Sequence, residues 1–227
     1  MIRLLREINA QLVDRLSSGN SATTSSGSSN SSSRSSNTLA GDGLALTVGG
    51  YSKDADARRG YVPGGGKGRG YKLHAIADAV TRVIHAAAIA GLNRGESIVM
   101  ARLARLTPMS GRLLRADSNY DTNRLYGAVA ARGGRLIANL RRPGTRLGHR
   151  PQHPDRRATH QLLNGDRAAA RLHRRERSSI ERCFAHLRAA GLFALPPFVR
   201  RRRRVKRWVR AKLLLYHLSL MLRRDKS

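Results

Sequence analysis

A mixed α/β fold, with a mixed sheet flanked by helices on both faces, follows from three observations. Residues 71–78 (YKLHAIAD) and 81–89 (TRVIHAAAI) alternate at the period of a strand. Two more short strand-like runs, 111–116 (GRLLRA) and 135–140 (RLIANL), stand between helical segments. The order is therefore three strands, helix, strand, helix, strand, helices, the pattern of a sheet covered on both sides.

Taken in order, residues 2–16 place Ile2, Leu5, Ile8, Leu12 and Leu16 at helical spacing. So short a helix cannot hold a core alone; it is a remnant of something larger or packs back on the main domain. From 17 to 36, 12 of 20 residues are Ser, a flexible and disordered linker. The expected division is 1–16 helix, 17–38 linker and 39–227 main domain. Residues 39–48 are a weak strand, loosened by Gly41 and Gly43. Gly49 to Gly70 reads as a Gly-rich polar loop or hairpin. After strands 71–78 and 81–89 come a helix over 95–106 and the strand 111–116, which ends at Asp117. Asp121 is placed to cap a helix over 122–132, stopped by Gly133-Gly134. Strand 135–140 leads into a basic, Pro-containing loop over 141–158. Helices over 166–190 and 203–222 finish the chain, broken apart by Pro196-Pro197.

Composition narrows the function. Among 227 residues, Lys and Arg total 44 against 14 Asp and Glu, a formal charge of +30. Such charge repels itself in a compact state and attracts polyanions, which argues against a neutral metabolic enzyme and for a nucleic-acid partner. Aromatics are only 4%, too few for a single-strand binder built on stacked rings. Cys183 is the sole cysteine, so neither an internal disulfide nor a cysteine zinc cluster can form; this fits a reducing cytoplasm. No apolar run reaches the roughly 20 residues of a membrane helix, and the charged N-terminus lacks a secretory apolar core.

With so few acids, each can be weighed. Asp78, Glu96, Asp121 and Asp166 stand at ends of expected elements, where capping accounts for them. Glu176 is flanked by Arg174, Arg175 and Arg177, and local ion pairing suffices. Asp42, Asp117 and Glu181 have the stronger claims. In a meander followed by a crossover, the first and fourth strands can be neighbours, bringing Asp42 and Asp117 to one sheet edge. On the long helix Arg174, Arg177, Glu181 and Arg188 share a narrow arc beside the apolar stripe of Ile180, Phe184 and Leu187. Three carboxylates in so basic a chain suit a divalent metal such as Mg²⁺, which prefers hard oxygen ligands. Spacing alone leaves open the alternative of caps and ion pairs.

Five ordered stretches add to this: DGLALTVGGYSKDADARRGY, GRGYKLHAIAD, LLRADSNYDTNRLY, RRERSSIERCFAHLR and the helix of Val205-Lys206-Arg207-Trp208. Together they resemble the catalytic part of bacterial insertion-sequence transposases of the DDE, RNase-H-like type, over about residues 39–222. The resemblance implies an RNase-H-like mixed sheet. It implies that Asp42, Asp117 and Glu181 are catalytic and bind two Mg²⁺ or Mn²⁺ ions. DNA strand cleavage and strand transfer follow, with transposon ends and target DNA as partners, no membrane, and a homodimer admitted. Arg177 and Arg188 would contact DNA near the cut, joined by Lys72, Arg174 and Arg207. Arg174 stands where the family motif has tyrosine, and Arg188 where it has lysine. The short helix and Ser-rich linker replace the family's upstream DNA-end-binding region, which implies an N-terminally truncated copy. The rival reading is a catalytically dead, basic DNA-binding remnant; a ribosome-type RNA binder fits the motifs less well.

The remaining residues read blandly. His74 and His85 alternate with apolar neighbours as core or rim histidines, and Cys183 as an inert thiol. GGGKGRG lacks the P-loop spacing; Lys67 and Arg69 there either touch phosphates or are solvated. On the last helix Val205, Val209, Leu213, Tyr216 and Leu220 share a packing face, with Arg203, Arg207 and Arg210 behind.

Overall fold

A computed structural model describes residues 2–18, 37–141, 144, 147–192 and 195–224. Most of the Ser-rich linker therefore lies outside the described residues. Six strands form one sheet: β1 (Thr38–Thr47), β2 (Arg58–Val62), β3 (Gly66–Asp78), β4 (Ile84–Gly91), β5 (Leu113–Ala116) and β6 (Arg135–Ala138). Strands β1 to β4 are an antiparallel system in which β3 pairs with β1, β2 and β4. Strands β5 and β6 then add in parallel on the far side of β1. This order, a meander followed by crossover strands, is the RNase-H-like sheet that the sequence predicts.

The helices are α1 (Ile2–Ser18), α2 (Glu96–Leu106), α3 (Asn123–Ala130), α4 (Pro154–Gly165), α5 (Arg167–Ala189) and α6 (Arg202–Arg224). Period-two alternation along β1 divides the core in two. Leu39 faces α2 and α3, in a cluster with Ile76, Met100, Leu114 and Tyr126. Ala40, Leu44 and Leu46 face α5 and α6, in a cluster with Ile180, Phe184, Leu187, Val205 and Tyr216. The predicted faces of α5 and α6 are thus the buried ones. Helix α1 packs back on the domain against α6, burying Leu12 and Leu16. There Asn9 Oδ1 meets His217 Nδ1 at 2.7 Å, while His217 Nε2 accepts the Ile84 N–H at 3.1 Å.

Several expectations need correction. The segment 141–158 is not all loop, because α4 begins within it: His153 caps the helix and Pro154 occupies its first turn, where a missing N–H costs nothing. Residues 79–83 are a turn rather than strand, since Asp78 Oδ1 accepts the Val80 and Thr81 N–H groups. The Gly-rich stretch, read as a loop or hairpin, is a hairpin of β2 and β3 as expected, turned by Gly64 and Gly66 at φ +74 and +71. Arg69 in that hairpin donates to the carbonyls of Ser52, Asp54 and Ala57, so its charge holds the fold rather than a phosphate. Glu176 pairs with Arg115 on β5, not with its neighbours on the helix.

Nor do glycines make β1 weak. A side chain at Gly43 would place its Cβ 2.8 Å from Cδ of Lys72, and one at Gly41 would sit 3.2 Å from Cε of Met100. Gly41 admits the Met100 side chain of α2, and Gly43 the Lys72 side chain of the adjacent β3. The tightest case is Gly70, where a Cβ would lie 2.2 Å from the Leu46 carbonyl oxygen in the paired strand. Backbone cannot yield as a side chain can. Gly70→Ala is expected to cost at least about 2 kcal/mol by urea denaturation; an unchanged midpoint would show that β1 and β3 do not approach this closely.

Candidate active site

Register brings the first two acids together. Gly41 of β1 pairs with Ala116 of β5, and Ala116 pairs with Ala138 of β6. One residue further along, Asp42 in the middle of β1 stands in a row with Asp117 and Asn139, which lie just past the ends of β5 and β6. Strand alternation puts Asp42 and Arg115 on the α5 face, and Asp117 continues that phase past the end of β5. Ligand sites in open α/β sheets favour such strand ends.

Local bonds fix both carboxylates. Asp42 Oδ1 accepts the Gly43 N–H at 2.7 Å. Asp117 Oδ1 accepts the Ser118 N–H at 2.7 Å, opening a single 3₁₀ turn over Ser118–Tyr120, and the Asn139 amide at 3.4 Å. Burial, with the charges of Glu96 and Asp117 nearby, pushes the Asp42 carboxyl up to about 6 against the bond from Gly43 and the charge of Arg177. Two like charges at one end of a sheet are what raise it further once water is excluded.

Glu181 stands differently. It lies on α5, whose buried stripe packs on β1, yet its side chain is 53% exposed. Its carboxylate is held at 2.7 Å by Arg177, one turn earlier on the same helix. Among the described residues, no three acidic, histidine or cysteine side chains converge as a metal cluster. The structure thus brings Asp42 and Asp117 together and leaves Glu181 engaged with Arg177 on α5. Asp42 and Asp117 are hard oxygen donors in a region where unneutralised negative charge already raises one of them. That chemistry fits a divalent cation.

The basic residues divide likewise. Arg174 is exposed and lines a cavity with Asp117; Arg188 is exposed on α5 and Arg207 on the outer face of α6. Lys72, read from the sequence as a DNA contact, has a side chain only 8% exposed and pairs with Glu96 at the start of α2. Glu96 is therefore more than a cap at the start of α2. It also lies near Asp42 and beside the buried hydroxyl of Tyr120, whose pKa is raised well above the ordinary phenol value by burial and by the charges of Asp42 and Glu96. Tyr120 carried a signal in the D-x-N-Y-D stretch. Asn139 and Glu96 carried none beyond their places at the ends of elements.

The family model described as "Transposase DDE domain" matches residues 34–218. No curated protein and no solved structure matches the chain.

Proposed function

The chain belongs to the transposase DDE domain family, and on that premise we propose that it cleaves DNA strands and transfers the freed ends with the help of divalent cations. The observation that carries this reading is the strand register that seats Asp42 and Asp117 side by side on the α5 face. Asp42 and Asp117 would hold the ions, two Mg²⁺ or Mn²⁺ in the full site, with Glu181 completing the set. Held by these carboxylates, divalent cations would supply activation of the attacking oxygen and neutralisation of charge on the leaving one. The chain's own residues do the rest. Arg177 keeps Glu181 beside the sheet, and approach of a phosphate to Arg177 releases that carboxylate toward Asp42. Arg174, Arg188 and Arg207 hold the DNA backbone as sequence-independent cationic contacts. Asn139 keeps the Asp117 carboxylate turned to one side.

A second reading, a basic DNA-binding remnant without cleavage, draws support from Glu181, which stands bound to Arg177 and half exposed. One experiment separates the two. Supercoiled plasmid is incubated with Mg²⁺ and either the wild type or Asp117→Ala. Nicking by the wild type alone is expected. Equal nicking by both sinks the role of Asp117, whereas no nicking by either, with binding that falls steeply as salt rises, leaves the remnant reading standing.

A further inference from the structure

The ribbon of β2 and β3 is a part of the sheet that the chemistry at Asp42 and Asp117 leaves unused. We propose that it is an arm for duplex DNA, entering the major groove about one helical turn from the phosphate held at Asp42 and Asp117, with Tyr61 and Lys67 on the side that meets the duplex. This rests on the reading of DNA as the ligand.

Strand register sets the direction. β1 ends at Thr47, which pairs with Gly70 of β3. Before that point Gly66, Lys67 and Gly68 pair with β2 alone among the described strands. The ribbon therefore projects past the end of β1 by about 13 Å, at roughly 3.3 Å per residue. Asp42 lies about 17 Å from Thr47 on the same count. The tip thus stands about 30 Å from Asp42, close to the roughly 34 Å turn of B-DNA. A duplex lying along β1 returns the same backbone and groove to the protein after one turn.

Side chains agree with that path. Lys67 keeps the phase of Tyr71 and Leu73, which pack toward α5 and α6, so it stands on the face of Asp42. Tyr61 is its cross-strand partner and is 67% exposed. The opposite face is slim, because Gly60, Gly66 and Gly68 carry no side chain there. The major groove, roughly 12 Å wide, admits a two-stranded ribbon of this kind. Lys53, Arg58 and Arg59 are exposed with Lys67. The two acids of this segment are taken: Asp54, 1% exposed, accepts the Tyr71 hydroxyl at 2.9 Å, and Asp56 accepts the Arg202 N–H at 3.0 Å. Arg200, across a cavity from the turn over 49–52, extends the positive charge at the root of the ribbon. Such charge suits any polyanion; the one-turn spacing and the slim ribbon favour duplex DNA.

The test uses the full chain in chelator across a salt series. Random-sequence duplexes of about 8 and about 20 base pairs, shorter and longer than one turn, are titrated with wild type, the double variant Tyr61→Ala/Lys67→Ala, and Arg135→Ala. Arg135 is exposed at the start of β6, the end of the sheet away from Asp117, and controls for lost charge. On the long duplex the double variant is expected to bind about tenfold more weakly, with a salt slope lower by about one. On the short duplex it should stay close to wild type, and Arg135→Ala should match wild type on both. Equal loss on both lengths, no loss on either, or as large a loss in Arg135→Ala overturns the arm. A long duplex whose cytosines carry bulky glucosyl groups in the major groove should erase the difference between wild type and double variant. An undiminished difference there overturns the groove placement. A double variant whose mass in solution changes while its DNA binding does not assigns the ribbon to a second copy of the chain and overturns the proposal. Failure of the wild type to bind either duplex removes the DNA reading itself, an outcome distinct from loss of the arm alone.

Discussion

Asp42→Asn is expected to abolish plasmid nicking and, at pH 7 without metal, to stabilise the fold by about 2 kcal/mol. The stability gain follows from linkage. The Asp42 carboxyl titrates near 6 in the folded chain against an ordinary value of 3.8. A raised folded pKa means that the folded state holds its proton more tightly. The favourable contribution is full below about 3.8 and is lost as pH rises through 6. At pH 7 the ionised carboxylate is a burden, roughly 3 kcal/mol at one pKa unit per 1.36 kcal/mol. Asparagine keeps the oxygen that accepts the Gly43 N–H and removes the charge. Part of the gain is lost to imperfect packing of the amide, hence the smaller figure.

Divalent cation reverses the balance. An ion that binds only the folded state stabilises it by about 2.7 kcal/mol at a hundred times its dissociation constant. Mg²⁺ should raise the thermal midpoint of the wild type and leave that of Asp42→Asn where it was. Mg²⁺ binding by the wild type should weaken as pH falls, because the carboxyl must lose its proton to hold the ion. A variant that melts at the wild-type temperature without metal, or that gains equally from Mg²⁺, would remove Asp42 from the site.

The same residue shows how far sequence could reach. Alternation placed β3, and the strand order placed Asp42 next to Asp117. Gly41 and Gly43 argued for a weak strand, because their reason lies elsewhere: Met100 and Lys72 fill the space they leave. Proline at 154 read as loop because its helix-starting use depends on position by a single residue. Long-range ion pairs were the least legible. With 38 arginines available, nothing local says that Glu176 meets Arg115 or that Glu96 meets Lys72. Glu181 was legible as a member of an arc on α5, and Arg177 in the same arc is what holds it. Periodicity finds faces; it does not say which of two partners on one face binds the other.

Asp121 is where an unread pair should matter most to folding. Its place before α3 suggested a cap, but Thr122 occupies the cap position and the Asp121 side chain is 1% exposed and turned inward. Arg156 of α4 donates to both of its oxygens, from Nε at 2.7 Å and Nη2 at 2.8 Å. His160, one turn on, approaches at 3.4 Å. This fork joins the segment after Asp117 to α4, and Thr159 ties the same helix to β6 through the Leu136 carbonyl at 3.1 Å. Removing one partner of a buried, bidentate pair leaves a charge with no water to answer it. Asp121→Ala is expected to cost about 3–5 kcal/mol in urea denaturation, enough to leave little stability in a domain of this size. Arg156→Met should cost at least as much, since it strands the 1%-exposed Asp121 carboxylate with only His160 beside it, whereas Asp121→Ala strands a guanidinium that is 17% exposed. The double variant should be less destabilised than the sum of the two, with a coupling above about 1 kcal/mol. Strict additivity would show that Asp121 and Arg156 do not act as a pair. Because Asp117 and Asp121 flank one short turn, any Asp121→Ala protein that still folds should also nick DNA more slowly while binding it with the wild-type salt slope.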